Sequence, residues 1–581
     1  MYLKYKDAEP KDTVNRIKSI FNQIGIKLVC QTEKHVDGVY TSYLTDPVCR
    51  WRTEGKGTSI DFCEASAYGE AMEHICTHYA FDISTVSQQA KNYRGFFRYP
   101  DERQIPVSQI PDIAPVILEE MREPYVRLGQ PIPADRDLIS LWTKILKSDT
   151  TSFTPYYHVG SGETVFLPDA VLSKLCGTNG GGCGNTPEEA IGHALDEIVE
   201  RWCKYTIFSK RMTPPEVPDN YLAKRCPELL TVKQSIENQG HLRVLVLDAS
   251  LGKRLPVVCI AVIDPASKRY LVNFGCHPQF EIALERCFTE VFQDRRVVPE
   301  LIERKDMSTW ANFDRETVFS QRNWAKLLED DLGLWPGEFF GSIPSWTFSE
   351  WPVFETYSNS AGMHSQLNRL LSMGADIYIR NVSFLDFPVF KVYIKGISTS
   401  HISYTEDILN DLSIIEKMKS FLGGELSHNE MLALSQTVFG KDSIWGRMFF
   451  YRLSNEEFDI LHSAFLMEYG STGDAYEPLR FWNGEEASVI KRILEMAGFM
   501  PLKSAVGSAK RFSSHALLPF IEAFFSDRPF HNMLVHYRFS GSSRKSMSGN
   551  TIQPDRDAFF GAVKDFMAEH MVSQDEIKHI I

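Results

Sequence analysis

Glutamates recur at helical spacing in three separate stretches of this 581-residue chain, each time just after a glycine-rich run. The first stretch is Gly55-Lys56-Gly57-Thr58-Ser59, followed by Ser66, Glu70, Glu73 and His74. The second is Gly177–Asn185, with five glycines, followed by His193, Glu197, Glu200 and Arg201. The third is Gly275-Cys276-His277-Pro278, followed by Arg286, Glu290, Gln293 and Arg295. A helix sets residues i, i+3 and i+4 on one face, so each stretch presents an acidic stripe with a donor beside it. One such pair is ordinary solvated surface. Three in series, each led by glycine backbone, point to crowded carboxylates that need a cation. Hard oxygen ligands suit Mg²⁺, which commonly bridges phosphates. Backbone N–H groups of the glycine runs could hold phosphate oxygens near the helix starts. A P-loop is absent: Gly55-Lys56-Gly57 lacks its upstream glycine and its lysine–hydroxyl pair.

The elements that must carry these stripes are legible. Asp12 to Ile24 reads as an amphipathic helix, with Val14, Ile17, Phe21 and Ile24 on one side. The acidic helices are expected over about 62–79, from Pro187 onward, and over about 280–296. The second has an explicit start, with Thr186 as N-cap, Pro187 at the first position and Glu189 closing a capping box. Valine- and isoleucine-rich runs at 243–247, 257–263, 270–274, 377–382 and 389–394 read as strands, the second and third joined in an antiparallel hairpin. Irregularly interleaved strands and helices favour an α+β fold with mixed or antiparallel sheets flanked by helices. After about Tyr404 strand signals fade and capping boxes at Ser454 and Asn483 open helical runs, with a further helix expected over 555–571. We therefore expect two domains, 1–405 and an all-helical 406–581.

Composition narrows the function classes. Hydrophobic residues make up 43% of the chain, enough for a large core, and the formal net charge of −13 argues against a surface coated by nucleic acid. No apolar run approaches the roughly 18 residues of a membrane span and no signal-peptide core opens the chain, so a cytoplasmic, membrane-free protein is expected. The 11 cysteines form no C-x-x-C pair, which argues against a zinc knuckle or an iron–sulfur cluster. From Pro501 to Asn550 the lysines and arginines outnumber the acids. We read this as a basic face with a Ser/Gly loop over 540–550, in preference to an RNA contact.

Taken together, Ser66-x-x-x-Glu70-x-x-Glu73, His193-x-x-x-Glu197-x-x-Glu200-Arg201 and Arg286-x-x-x-Glu290-x-x-Gln293-x-Arg295 resemble the signature segments of the YcaO family over about residues 1–405. The resemblance implies an ATP- and Mg²⁺-dependent enzyme that phosphorylates a peptide backbone amide oxygen, turning a poor leaving group into a good one. It assigns Glu70, Glu73, Glu197, Glu200 and Glu290 to Mg²⁺, and Arg201, Arg286 and Arg295 to phosphates. Ser66 and Gln293 would hydrogen-bond the nucleotide, and Lys6 and Arg16 would reach its phosphates from the N-terminal segment. The resemblance is strongest to the stand-alone bacterial branch. It implies a ribosomal-protein or other peptide substrate, a separate radical methylthiotransferase as partner in β-methylthiolation, a homodimer, and a helical domain that serves dimerisation or partner docking. Alternatives are azoline or thioamide formation in a ribosomally made peptide, and a non-catalytic nucleotide-binding scaffold. Two departures stand out. His74 occupies the position where the family usually has arginine, and no proline-rich tail follows Pro554, which argues against azoline formation.

Overall fold

The computed structural model describes residues 6–36, 39–45, 52–77, 99–127, 131–146, 148–238, 242–266, 269–291, 318, 323–324, 327, 333–354, 356–399, 426–439, 455–470, 474–480, 484–497, 499–513, 517–530, 532–533, 567 and 569–581. Gln293, Arg295, most of the expected helix over 555–571 and the loop over 540–550 lie outside them. By contacts the chain divides into two compact units, Met1–Asp407 with Asp555–Ile581, and Ile408–Pro554.

In the first unit the strands are β1 (Val29–Val36), β2 (Val39–Thr45), β3 (Arg52–Gly57), β4 (Arg103–Pro106), β5 (Thr150–His158) and β6 (Glu163–Pro168). They continue with β7 (Gly181–Cys183), β8 (Arg243–Asp248), β9 (Val257–Asp264), β10 (Arg269–Cys276), β11 (Ile377–Asn381) and β12 (Val389–Ile394). Three sheets result, ordered β1-β2-β3, β10-β9-β8 and β4-β5-β11-β12-β7 with β6 on β5. Every pairing among the described residues is antiparallel. The expected α+β class is the one observed, and the five expected strands appear within a residue or so of their predicted ends.

The acidic helices are Ile60–Cys76, Pro187–Ser209 and Phe280–Val291, the third followed to the last residue described there. Thr186 caps the second as expected, accepting from the Glu189 N–H at 3.2 Å, an interaction of about 1 kcal/mol. That helix is the centre of the unit. Ile191, Leu195 and Ile198 share one core with Cys259 and Val272 of the second sheet and with Ile379 and Val392 of the third. Each such aliphatic side chain contributes about 2 kcal/mol by leaving water. A helix buried on two sides must carry its polar stripe along the remaining edge, which is where Glu197 and Glu200 fall.

The glycine runs have a packing task as well. A Cβ on Gly55 would lie 2.1 Å from the Ala67 nitrogen, on Gly182 2.2 Å from the Ala190 oxygen, and on Gly275 2.2 Å from the Ala283 oxygen. These glycines sit in β3, β7 and β10, each pressed flat against the helix that follows it. Close strand–helix approach, more than an N–H cradle, is what demands glycine there.

The expected boundary near 405 falls close to the division between the units, but the last stretch corrects the expected 406–581 domain. Ile577 is buried in the first unit's core. The Gln574 carboxamide accepts from Asn381 N at 2.8 Å and donates to Asn381 O at 3.0 Å, continuing the strand edge with a side chain. The other unit is helical among its described residues, with a core that includes Ile460, Phe465, Ile490 and Phe520. No helix among the described residues is long and apolar enough to cross a membrane.

Candidate functional site

The sequence stripes meet in two adjoining groups. In the first, Glu73 is pushed well above the usual carboxylate range by burial, then by the charges of Glu197 and Glu70, with Arg201 pulling the other way. Arg201 Nη2 lies 2.7 Å from Glu197 Oε1, and the Gly180 N–H donates to Glu197 Oε2 at 2.9 Å. In the second group, burial and the neighbouring Glu290 raise Glu200 to about 8, against the charges of Lys56, Arg286 and Lys204. Lys56 reaches across from β3 to pair with Glu290. The two groups are joined through the central helix, since Glu197 and Glu200 stand one turn apart on it.

His74 lies 3.8 Å from Glu70, and burial lowers it to about 4, so it is neutral at pH 7. The cation of the first group is Arg201. Arg286 is fixed from behind: its Nη1 donates to Asp196 Oδ2 at 2.9 Å and to the Cys276 carbonyl. Asp196 is buried, bonded also by Gln366 and approached by the Cys276 thiol at 3.6 Å, and burial raises its carboxyl. Ser66 accepts weakly from Lys56 N at 3.4 Å.

A third polar cluster ties down the N-terminal segment. Lys6 Nζ lies 2.9 Å from Glu189 Oε1 and 3.0 Å from His193 Nε2. His193 Nδ1 donates to the Cys183 carbonyl at 2.9 Å. An ammonium can only donate, so Nε2 is the bare nitrogen and the ring is neutral. Burial, then Lys6 and Arg286, lower its pKa to about 3, in agreement. Lys6 is thus joined to this cluster, while Arg16 stacks 4.7 Å over Phe387 and donates to the Asp386 carbonyl.

Sequence reasoning missed Lys56, Asp196 and Gln366 as site residues. Lys56 had a signal in its alternation with Gly55 and Gly57, which marks a strand with glycine toward the helix and lysine outward. Asp196 and Gln366 had none, since each is defined only by what lies across from it.

Among the described residues no three His, Cys, Asp or Glu side chains close on one point as a finished metal cage. The donor set nevertheless fits Mg²⁺. Its oxygens are hard ligands, and burial, then the neighbouring carboxylates, hold Glu73 and Glu200 above the usual range.

The family model "YcaO cyclodehydratase, ATP-ad Mg2+-binding" matches residues 54–398. An uncharacterized protein of Haemophilus influenzae is 25% identical over 401 residues, 68% of this chain and 65% of that one. The ribosomal protein S12 methylthiotransferase accessory factor YcaO of Escherichia coli is 26% identical over 404 residues, 68% of this chain and 66% of that one. The match therefore spans just under two thirds of either relative. Among solved structures, YcaO from Methanopyrus kandleri bound with AMPPCP and Mg²⁺ is 17% identical, covering 68% of this chain and 93% of that chain with a TM-score of 0.43. A heterocyclase in complex with substrate and cofactor is 18% identical, covering 68% of this chain and 53% of that chain with a TM-score of 0.45. ATP and Mg²⁺ are the ligands of the family. The matched span takes in more than half of the sequence and all three acidic helices, and the chain belongs to the YcaO family.

Proposed function

We propose that this chain is an ATP-dependent enzyme that activates a peptide backbone amide, and that it acts as an accessory factor in β-methylthiolation of a small-subunit ribosomal protein. The observation that carries the reading is the convergence of Glu70, Glu73 and Glu197 beside Arg201, and of Glu200 and Glu290 beside Lys56. In the reaction class, a nucleophile adds to the amide carbon and the amide oxygen takes the γ-phosphoryl group of ATP, releasing ADP. The C–O bond then breaks and phosphate leaves. Such transfer asks a protein chiefly for positioning and for cations around the phosphates.

Glu70, Glu73, Glu197, Glu200 and Glu290 would hold Mg²⁺, which supplies charge neutralisation at the phosphates when bound. Arg201 and Arg286 offer planar donors to phosphate oxygens, and Asp196 orients Arg286 from behind. Ser66, and Gln293 and Arg295 beyond the described residues, complete the proposed nucleotide contacts. Lys6 keeps Glu189 and His193 in place at the start of the central helix. Arg16 keeps its assignment to the phosphates only if its guanidinium leaves Phe387.

The ribosomal setting rests on the 26% identical Escherichia coli accessory factor. The family's own description favours a second reading, cyclodehydration of a ribosomally made peptide. Incubation of the purified chain with Mg·ATP and ribosomal-protein peptides tests both. Phosphate release with those peptides supports the first reading, and loss of water from a precursor peptide supports the second. Failure of the protein to bind Mg·ATP at all overturns both.

A further inference from the structure

Behind the Asp196–Arg286 pair lies an open cleft whose lining includes none of the carboxylates assigned to Mg²⁺. Arg254, Arg369, Gln366, Trp351, Phe354 and Pro278 line it, with Glu350 on its exposed side. Arg254 comes from the turn after β8, and Gln366 and Arg369 from the helix Asn359–Ser372.

Three features of this lining define a ligand. Arg254 and Arg369 are neighbours of like charge, and among the described residues neither forms an ion pair. Arg369 has a long bond, 3.5 Å, to the Lys253 carbonyl, and burial together with Arg254 depresses its pKa. Two guanidinium groups held this way call for a carboxylate or phosphate, which planar donors bind best. The second feature is Gln366, 3% exposed, whose Nε2 donates to Asp196 while its Oε1 has no partner. A buried bare acceptor calls for an N–H donor from the ligand. The third is an apolar wall, since Trp351 and Phe354 suit side-chain carbon more than solvated phosphate. An anion with a neighbouring N–H and an apolar flank describes a peptide segment with an acidic residue. The Gln366–Asp196–Arg286 chain of bonds leads from the cleft to the carboxylate site.

We infer that this cleft is a substrate subsite, taking an acidic residue of the peptide on Arg254 and Arg369 while an adjacent backbone N–H donates to Gln366 Oε1. The inference rests on the peptide-activating reading above and deepens it by naming a sequence preference.

The test uses the full chain and two fluorescently labelled, C-amidated octapeptide pools, alike except for a fixed central Glu or Gln. The Glu pool should bind about tenfold tighter, as expected of a charge pair on the half-buried Arg369 with the exposed Arg254 beside it. Arg254→Gln and Arg369→Gln should each erase that preference and leave Mg·ATP affinity and the melting temperature unchanged, while Arg369→Lys keeps part of it. Equal binding of the two pools overturns the subsite, as does a preference that survives both glutamine variants. A single-stranded RNA oligonucleotide that displaces the Glu pool and itself depends on both arginines overturns it in favour of a phosphate ligand. A Glu preference in a protein that never binds Mg·ATP sinks the enzymatic reading and leaves the subsite standing.

Discussion

Lys56 on β3 pairs with Glu290 on the third acidic helix, although 234 residues separate them in sequence. The pair holds the glycine strand that feeds the first acidic helix against the helix that ends the series. It also offsets the repulsion between Glu290 and Glu200.

Removing either end of the carboxylate series should remove its ligand. Glu197→Ala and Glu290→Ala are each expected to weaken Mg·ATP binding by about a hundredfold or more, as loss of a charged contact in a desolvated site does. Isothermal titration of the purified variants measures this, and unchanged affinity in both sinks the site assignment. Lys56→Met should in addition lower stability by about 1 kcal/mol, read from urea midpoints.

Acid should loosen the start of the central helix. Burial pushes the Glu189 carboxyl up, but the Lys6 ammonium and the Asn185 N–H outweigh it and bring the folded value down to about 2 from 4.5. Its stabilisation is complete above about pH 4.5 and is lost as pH falls toward 2. His193 is held at about 3 against 6.5, so it too destabilises the fold as pH falls below 6.5. Both slopes have the same sign, so this cluster's contribution to stability should decline from pH 6.5 downward, the Glu189 share amounting to about 3 kcal/mol. Glu189→Gln should flatten the part below pH 4.5 in urea unfolding followed by circular dichroism. An unchanged slope there counts against the cluster.

Glycines in this chain should separate into two kinds. Gly182→Ala would force a Cβ within 2.2 Å of the Ala190 oxygen and should cost about 3 kcal/mol or prevent folding. Gly69→Ala, in the middle of the first acidic helix with nothing within 4 Å of the new Cβ, should stabilise by about 0.5–1 kcal/mol. Thermal melts of the two variants decide it.

Asp196→Asn tests positioning. Arg286 would keep its bond to the Cys276 carbonyl but lose its charged partner. Mg·ATP affinity should drop about tenfold, with the pH dependence of binding unchanged because Asp196 touches no proposed ligand oxygen. Equal affinity in Asp196→Asn and wild type counts against the positioning role.

Much of the fold was legible because its signals are local. The Thr186-Pro187-Glu189 start of the central helix is a capping box visible in four residues. The strand at 257–263 announces itself by unbroken apolar composition and the one at 270–274 by apolar residues around Asn273, as strands buried on both faces do. The strands β1 to β7 were not foreseen. β3 is one-third glycine, β7 has three residues, and β5 mixes threonine with aromatics in a pattern that propensity does not rank. The helix Asn359–Ser372 was missed as well, and with it Gln366.

By itself, the sequence determined that carboxylates would stand in stripes on three helices, since the 3.6-residue period is a property of the local backbone. It also determined where glycine was obligatory, though not what pressed against it. Only the tertiary structure decided that Arg201 stands near Glu73, that Lys56 meets Glu290, and that Gln366 and Asp196 lie behind Arg286. Those pairings depend on which elements pack across sheets far apart in the chain, and Coulomb interactions and desolvation act on spatial distance, which sequence separation does not encode.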